Sequence, residues 1–296
     1  MSASTAARTG IRDDAGVPID TTATPDLAGR IDAMSWYHTM DLGPGLVTPG
    51  FFDTRPTVAR VPLPESLAGM RCLDVGTWDG FWAFEMERRG AASVTAIDIE
   101  DPARWDWPPQ TRVGGHFASG RQILDDFKGG GQAFALAREA LDSDVDRVDV
   151  SIYDLDPDVH GRFDFVFLGS LLLHLRDPIR ALDRLRGVCA GELVIAEMVE
   201  AVPSWLRPRT PTVRLEGIDR PWWWQPNVAA FHRMVESAGF EILRRTPMYF
   251  LPHGVAHPRP PRRAMVRFAL TPAGREQMIG VWRGLPHAAV LARPAA

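Results

Sequence analysis

Residues 72–90 read CLDVGTWDGFWAFEMERRG. An apolar run, a glycine-bounded turn and a helical stretch follow one another, and Gly90 is placed to stop the helix. Turns of this kind usually cradle a nucleotide phosphate. This one sets Trp78 and Asp79 between Gly76 and Gly80. The dinucleotide pattern G-x-G-x-x-G lacks its third glycine in register, and no Gly-Lys-Ser/Thr follows to make a phosphate loop. A bulky Trp78 blocks close backbone approach, and Asp79 repels phosphate.

The site offers carboxylates instead. Asp74 ends the strand, Asp79 lies in the turn, Asp98 closes the next strand and Asp154 follows the third. Asp98 stands about twenty residues past the turn, where an acid binds ribose hydroxyls. Carboxylates attract ammonium and sulfonium groups. S-adenosylmethionine (SAM) carries both cations and a ribose, and no phosphate. The turn therefore reads as a seat for a cationic nucleoside, with Trp78 lying along it.

Outward from the turn, strands alternate with helices. Strands are expected at 71–75, 93–99, 147–152, 163–168, 192–196 and 241–247, and helices at 79–89, 132–141, 178–188 and 228–238. Such alternation predicts βαβ crossovers and a doubly wound, mainly parallel α/β sheet. A last strand is expected in RRAMVRFAL (262–270), paired antiparallel with the strand before it at one edge. Ligands of such sheets sit at the carboxyl ends of the strands.

Residues 1–28 are small and polar and read as a flexible tail. Residues 29–66 contain SWYHTMDLGPGLVTPGFFD and read as an ordered aromatic cap behind a short helix. Residues 67–296 form the main domain, with aromatic insertions near 101–128 and 202–226. The net charge of −4 supplies no global basic field for nucleic acid or an anionic membrane. Lys128 is the only lysine. Cys72 and Cys189 are too few for a disulfide framework or a zinc site, and read as buried thiols in a reducing cytoplasm. No apolar run is long enough to span a bilayer, and the first residues lack a secretory h-region. No metal-ligand cluster is visible, which predicts a metal-independent protein.

The motifs LDVGTWDG, VTAIDI, SIYDLDP and FDFVFLGSLLLHLRDP, in this order, resemble those of class I SAM-dependent methyltransferases. They cover about residues 71–196. More narrowly, WYHTMDLGPGLVTPG with LLLHLRDP resembles the group of tRNA wobble-uridine methyltransferases, which includes an enzyme that transfers a carboxymethyl group from carboxy-SAM. The resemblance implies a Rossmann-like, seven-stranded sheet. It implies that Asp74, Gly76 and Gly80 hold the methionine part of SAM, with Thr77 and Trp78 also binding the cofactor. Asp98 would bind the ribose, with Ile99 beside the adenine; Tyr153 and Asp154 would border the adenine; Gly169 and Ser170 would line the methionine side. Carboxy-SAM enzymes hold the extra carboxylate with basic residues, a lysine among them. The cap here has no lysine, and Arg55 or Arg207 would have to substitute.

Other residues have two readings each. His174 serves either as a base for the acceptor proton or as an orienting histidine. Trp36, Tyr37 and His38 either close over the sulfonium, with His38 as a second catalytic candidate, or only pack the cap. Trp105, Trp107, Trp222 and Trp223 form either a substrate wall, with the possibility of stacking RNA bases, or anchors that pin loops. HPRPPRR (257–263) reads as a solvated loop or a phosphate contact, and FKGGG (127–131) as a flexible turn. The expected function is methyl transfer to a small-molecule acceptor, with tRNA wobble-uridine modification as the alternative. A SAM-binding protein without catalysis and an NAD-dependent oxidoreductase are weaker readings. The acceptor atom and the oligomeric state stay open.

Overall fold

A computed structural model describes residues 26–109, 131–217, 221–257, 280 and 282–295. Helix α1 (Leu27–Asp32) is capped by Asp26, whose carboxylate accepts the Gly29 N–H at 2.8 Å. Four short strands follow: β1 (Trp36–His38), β2 (Asp41–Gly43), β3 (Leu46–Val47) and β4 (Gly50–Phe52). β1 and β4 pair in parallel, Trp36 opposite Gly50 and His38 opposite Phe52. Gly50 is required by close approach, because a Cβ there would lie 2.1 Å from the Thr39 nitrogen.

The main sheet is assembled from β5 (Arg71–Val75), α2 (Phe81–Arg88), β6 (Ser93–Asp98), α3 (Gln132–Leu141), β7 (Asp146–Asp149), α4 (Pro157–His160), β8 (Phe163–Gly169), α5 (Pro178–Val188) and β9 (Cys189–Met198). Then come α6 (Ala201–Leu206), β10 (Val213–Leu215), β11 (Trp224–Pro226), α7 (Val228–Ser237), β12 (Phe240–Arg245), β13 (Tyr249–Leu251) and β14 (Leu285–Pro294). The strand order is β12-β14-β9-β8-β5-β6-β7, with β13 also paired to β14. β7, β6, β5, β8 and β9 are parallel; β14 runs antiparallel between β9 and β12.

Local chemistry explains the framework. In β8 the run FVFL is buried throughout, as a strand covered on both faces must be. In α5, Pro178 takes the first turn and the Asp177 carboxylate accepts the Arg180 N–H at 3.0 Å. Ala181, Leu182, Leu185 and Val188 then form its buried stripe. In α7, Asn227 accepts the Ala230 N–H at 2.8 Å, and Ala230, Phe231 and Val235 face the core.

Two apolar cores flank the sheet. One joins α1, the cap residues Trp36, Met40 and Leu42, α2 and α3 to Phe165 and Phe167; the other holds α5, α7 and the opposite strand faces. The cap therefore shares a core with the main sheet. Cys72 and Cys189 are free and buried.

Several boundaries differ from the sequence expectation; β9 runs Cys189–Met198 and not 192–196, and β12 Phe240–Arg245 and not 241–247. α2 starts at Phe81, not Asp79, because Gly80 is left-handed at φ +95° and Asp79 is turned elsewhere. The third strand ends at Asp149, since Ser151 caps a 3-10 turn at Ile152–Asp154. The last described strand is β14. It inserts into the sheet beside β12, which becomes the edge. RRAMVRFAL, residues 1–25, most of HPRPPRR and residues 110–130 lie outside the described residues. Among the described residues, no helix is long and apolar enough to cross a membrane.

Candidate active site

The turn after β5 uses its own amides. Gly76 N–H and Thr77 N–H both donate to the Ile97 carbonyl, at 2.9 and 3.1 Å, and Gly80 N–H donates to the Thr77 carbonyl at 2.9 Å. Trp78 sits at φ +55°, a strained conformation for a bulky residue. Its N–H donates to Asp98 Oδ2 at 2.8 Å, and its ring lies 4.5 Å from that of Tyr37. These four amides are engaged, so a pyrophosphate would find none of them available.

Asp79 is 1 % exposed. One carboxylate oxygen accepts the backbone N–H of both Tyr37 and His38, each at 2.8 Å, and the other lies 2.5 Å from His38 Nδ1. The acid that looked like bait for a cation is the clasp that holds the cap on the turn. The aromatic Trp78 and acidic Asp79 between the glycines therefore serve cap docking.

Asp74 is different. It is 2 % exposed, and its Oδ2 has no hydrogen-bond partner among the described residues. Burial pushes its carboxyl up to about 7. A buried acid with an unanswered oxygen fits a cationic ligand, which would restore the carboxylate. Asp98 caps the turn through Trp78 and accepts the Ile99 N–H at 2.7 Å through its other oxygen. The sequence thus supplies the residues that the methionine and ribose of SAM would need.

Beside β5, β8 ends in Gly169, and Ser170 follows it. A Cβ on Gly169 would come within 2.6 Å of the Phe167 ring. Ser170 Oγ lies 2.8 Å from His287 Nε2 on β14. The 3-10 turn Leu172–His174 follows. His174 Nδ1 is 2.7 Å from the Pro221 carbonyl, which can only accept, so Nδ1 carries a proton. Under this turn lies Glu197, 1 % exposed, accepting the N–H of Leu172 at 2.9 Å and of Met198 at 3.1 Å. Burial raises its carboxyl to about 8.

The tryptophans of the two insertions mostly act as anchors. Trp105 and Trp107 are each 7 % exposed, and Trp105 Nε1 donates to the Ile99 carbonyl at 3.0 Å. Trp223 Nε1 donates to the Asp106 carbonyl at 2.6 Å, and Trp224 Nε1 to the Leu175 carbonyl at 3.1 Å. Trp222 is half-buried. The Asp106 carboxylate accepts from Tyr153 Oη at 2.9 Å and from the Arg176 N–H at 2.6 Å. Tyr153 is therefore held at the seam between the insertions, and Asp154 beside it is exposed. Trp36 is fully buried, donating to the Ile31 carbonyl at 2.9 Å. The structure places it in the core that the cap shares with the main sheet, and brings Tyr37 and His38 to the turn.

Arg55 is held by Asp53 and Asp41, at 2.9 and 2.8 Å. Its guanidinium is thus already answered by two carboxylates. Among the described residues, no group of three or more metal-ligating side chains gathers.

The sequence reading missed Asp106, Glu197, His287 and the clasp role of Asp79. An acid inside the apolar run ELVIAEM was the available signal for Glu197. His287 was hidden because the strand that carries it was not foreseen.

A doubly wound sheet with this strand order, an acid-lined turn after its first strand and a β8 turn beside it define a class I SAM-dependent methyltransferase domain. The chain belongs to the methyltransferase domain family, whose model matches residues 54–245. It is 29% identical over 189 residues to the tRNA U34 carboxymethyltransferase of Ectopseudomonas mendocina (strain ymp), covering 62% of this chain and 49% of that protein. To the enzyme of that name from Dichelobacter nodosus (strain VCS1703A) it is 27% identical over 182 residues, covering 60% and 47%. The chain spans about half the length of these curated relatives. Among solved structures it is similar to the Burkholderia thailandensis 1,6-didemethyltoxoflavin-N1-methyltransferase, with a TM-score of 0.42 and 15% identity over 77% of this chain and 72% of that one.

Proposed function

We propose that this protein transfers a methyl group from SAM to a small-molecule acceptor. The observation that carries the reading is a buried acid, Asp74, whose Oδ2 has no hydrogen-bond partner among the described residues, beside a turn in which the amides of Gly76, Thr77, Trp78 and Gly80 are already engaged. That combination suits a cation and repels phosphate.

When bound, SAM supplies a methyl group on a positively charged sulfur. The residues proposed to hold it are Asp74, Gly76, Thr77, Trp78, Gly80, Asp98 and Ile99, with Gly169 and Ser170 from the neighbouring strand. Tyr37 and Trp78 would exclude water under the cap. The Asp79 contact makes His38 Nδ1 a donor and leaves Nε2 as its basic nitrogen, and the Pro221 carbonyl likewise makes His174 Nδ1 a donor. Either histidine can then take the acceptor's proton, a contribution of about 10²–10⁴-fold.

Small-molecule chemistry is supported by the net charge of −4 and by the pairing of surface arginines with acids, as in Arg30–Glu139, Arg104–Asp149 and Arg245–Glu236. The engagement of Arg55 removes one of the two arginines that carboxy-SAM would call on. The names of the curated relatives favour the second reading, modification of tRNA wobble uridine. Buried reduced thiols fit a cytoplasmic setting.

Calorimetric titration with SAM and with carboxy-SAM tests the donor. Tight binding of SAM alone supports methyl transfer, and preference for carboxy-SAM moves the assignment to the second reading. Binding of neither ends both. A tRNA substrate would also bind with a steep loss of affinity as salt rises, whereas a neutral metabolite would not.

A further inference from the structure

His287 was not foreseen, and nothing so far gives it a task. It is 4 % exposed on β14, where it stacks against Tyr249 with ring centroids 5.9 Å apart. Its Nδ1 lies 2.9 Å from the Leu285 carbonyl, which can only accept, so Nδ1 carries the ring proton. Burial lowers its pKa to about 4 and keeps the ring neutral at ordinary pH. Nε2 is then an acceptor, and its partner at 2.8 Å is the Ser170 hydroxyl. The alternative for that hydroxyl, the Ala196 carbonyl at 3.4 Å, is at the far limit of a hydrogen bond.

The consequence concerns polarity. A serine hydroxyl has one proton and two lone pairs. With the proton given to His287, Ser170 Oγ can present only lone pairs to a ligand. Ser170 is half-buried, and it directly follows β8, the strand paired to β5 with Leu168 opposite Val75. Its neighbour Leu171 lies where a Cβ on Gly76 would point, 3.3 Å away. Ser170 therefore follows the strand that pairs with β5, which carries Asp74. An oxygen that offers only lone pairs calls for a ligand with N–H donors.

We propose that His287 is a positioning residue, which takes the Ser170 proton and so fixes Ser170 Oγ as a hydrogen-bond acceptor for the α-ammonium group of the SAM methionine part. The proposal rests on the reading that the site binds SAM. It names a group on β14 that acts only through Ser170.

The test compares two probes by calorimetry: S-adenosylhomocysteine, which has the ammonium, and 5′-methylthioadenosine, which lacks the whole amino acid. The variants are Ser170→Ala, His287→Phe, His287→Gln and the double variant Ser170→Ala/His287→Phe. Ser170→Ala and His287→Phe each weaken S-adenosylhomocysteine about 10- to 100-fold, the range for a hydrogen bond to a charged group. Binding of 5′-methylthioadenosine stays unchanged. The double variant loses no more than either single one, and His287→Gln, which keeps an acceptor oxygen, recovers part of the loss.

Wild-type affinity for S-adenosylhomocysteine in Ser170→Ala overturns the inference and leaves the SAM reading intact. Equal weakening of both probes also overturns it, because a general structural role would do that. Failure of the wild-type protein to bind either SAM or S-adenosylhomocysteine overturns the reading and the inference together. If His287→Phe does not fold, His287→Gln decides: a selective change in S-adenosylhomocysteine affinity that vanishes in the Ser170→Ala background supports the inference, and unchanged affinity in both backgrounds overturns it.

Discussion

Asp79 grips His38 across the boundary between main domain and cap, Oδ1 to Nδ1 at 2.5 Å, while Oδ2 takes the backbone N–H of Tyr37 and of His38. One buried carboxylate thus docks a segment and selects a tautomer. Replacing it by Asn removes the charge and offers an amide where His38 needs an acceptor. For Asp79→Asn, kcat falls about 10²-fold or more if His38 is the base, and the melting temperature falls as the buried network loses its charge. His38→Gln lowers kcat similarly while the backbone clasp persists. Steady-state kinetics and thermal melting of both variants check this; unchanged kcat in His38→Gln would remove His38 from catalysis.

Gly80 takes φ +95°, and a Cβ there would lie 2.4 Å from Phe84 and 2.8 Å from Phe134. Both rings are buried in the core. Gly80→Ala is therefore expected to cost about 2–4 kcal/mol, combining overpacking with left-handed strain. Gly45→Ala, also at positive φ but with no atom within 4 Å of its Cβ, isolates the backbone share. Urea unfolding of the pair separates the two.

Asp74 has its pKa raised from 3.8 to about 7. The folded state then binds its proton more tightly than the unfolded chain does. Its contribution to the stability of the ligand-free protein is most favourable below about pH 4 and declines as pH rises toward 7. Glu197, raised to about 8, acts with the same sign. Asp74→Asn is expected to flatten part of the decline between about pH 4 and pH 7 in chemical denaturation. A cationic ligand should bind more tightly above pH 7, where the carboxylate is already formed. Proton release on SAM binding at pH 6, absent in Asp74→Asn, is the calorimetric signature.

Glu197 holds the turn that bears His174 by accepting the Leu172 and Met198 amides. Glu197→Ala leaves buried N–H groups unanswered, each costing about 1–3 kcal/mol. Glu197→Gln keeps one acceptor oxygen and is milder. Comparison of melting temperature and S-adenosylhomocysteine affinity across the two variants separates loss of the turn from loss of the fold.

Much of the architecture was legible along the chain. Arg71–Val75, Gln132–Leu141 and Pro178–Val188 have the expected bounds, because apolar periodicity and caps are local properties. β14 was missed: its small apolar residues, HAAVLA, carry no alternation, being buried on both faces. The acids Asp74 and Asp98 were legible from their positions near the end of β5 and at the end of β6. The job of Asp79 was not, since its partners are 41 and 42 residues away.

By itself, then, the sequence determined the alternating strands and helices, the failure of the phosphate patterns and the presence of acids at the first turn. Only the tertiary structure decided how those acids are divided. Asp79 faces the cap's amides, Asp98 the Trp78 amide, and Asp74 keeps an oxygen without a partner. The same structure made Trp105, Trp223 and Trp224 anchors and joined Ser170 to His287 across the sheet. The physical reason is range. Periodicity and capping act within a few residues, whereas the role of a carboxylate or a histidine depends on which donors the folded chain brings within hydrogen-bond reach.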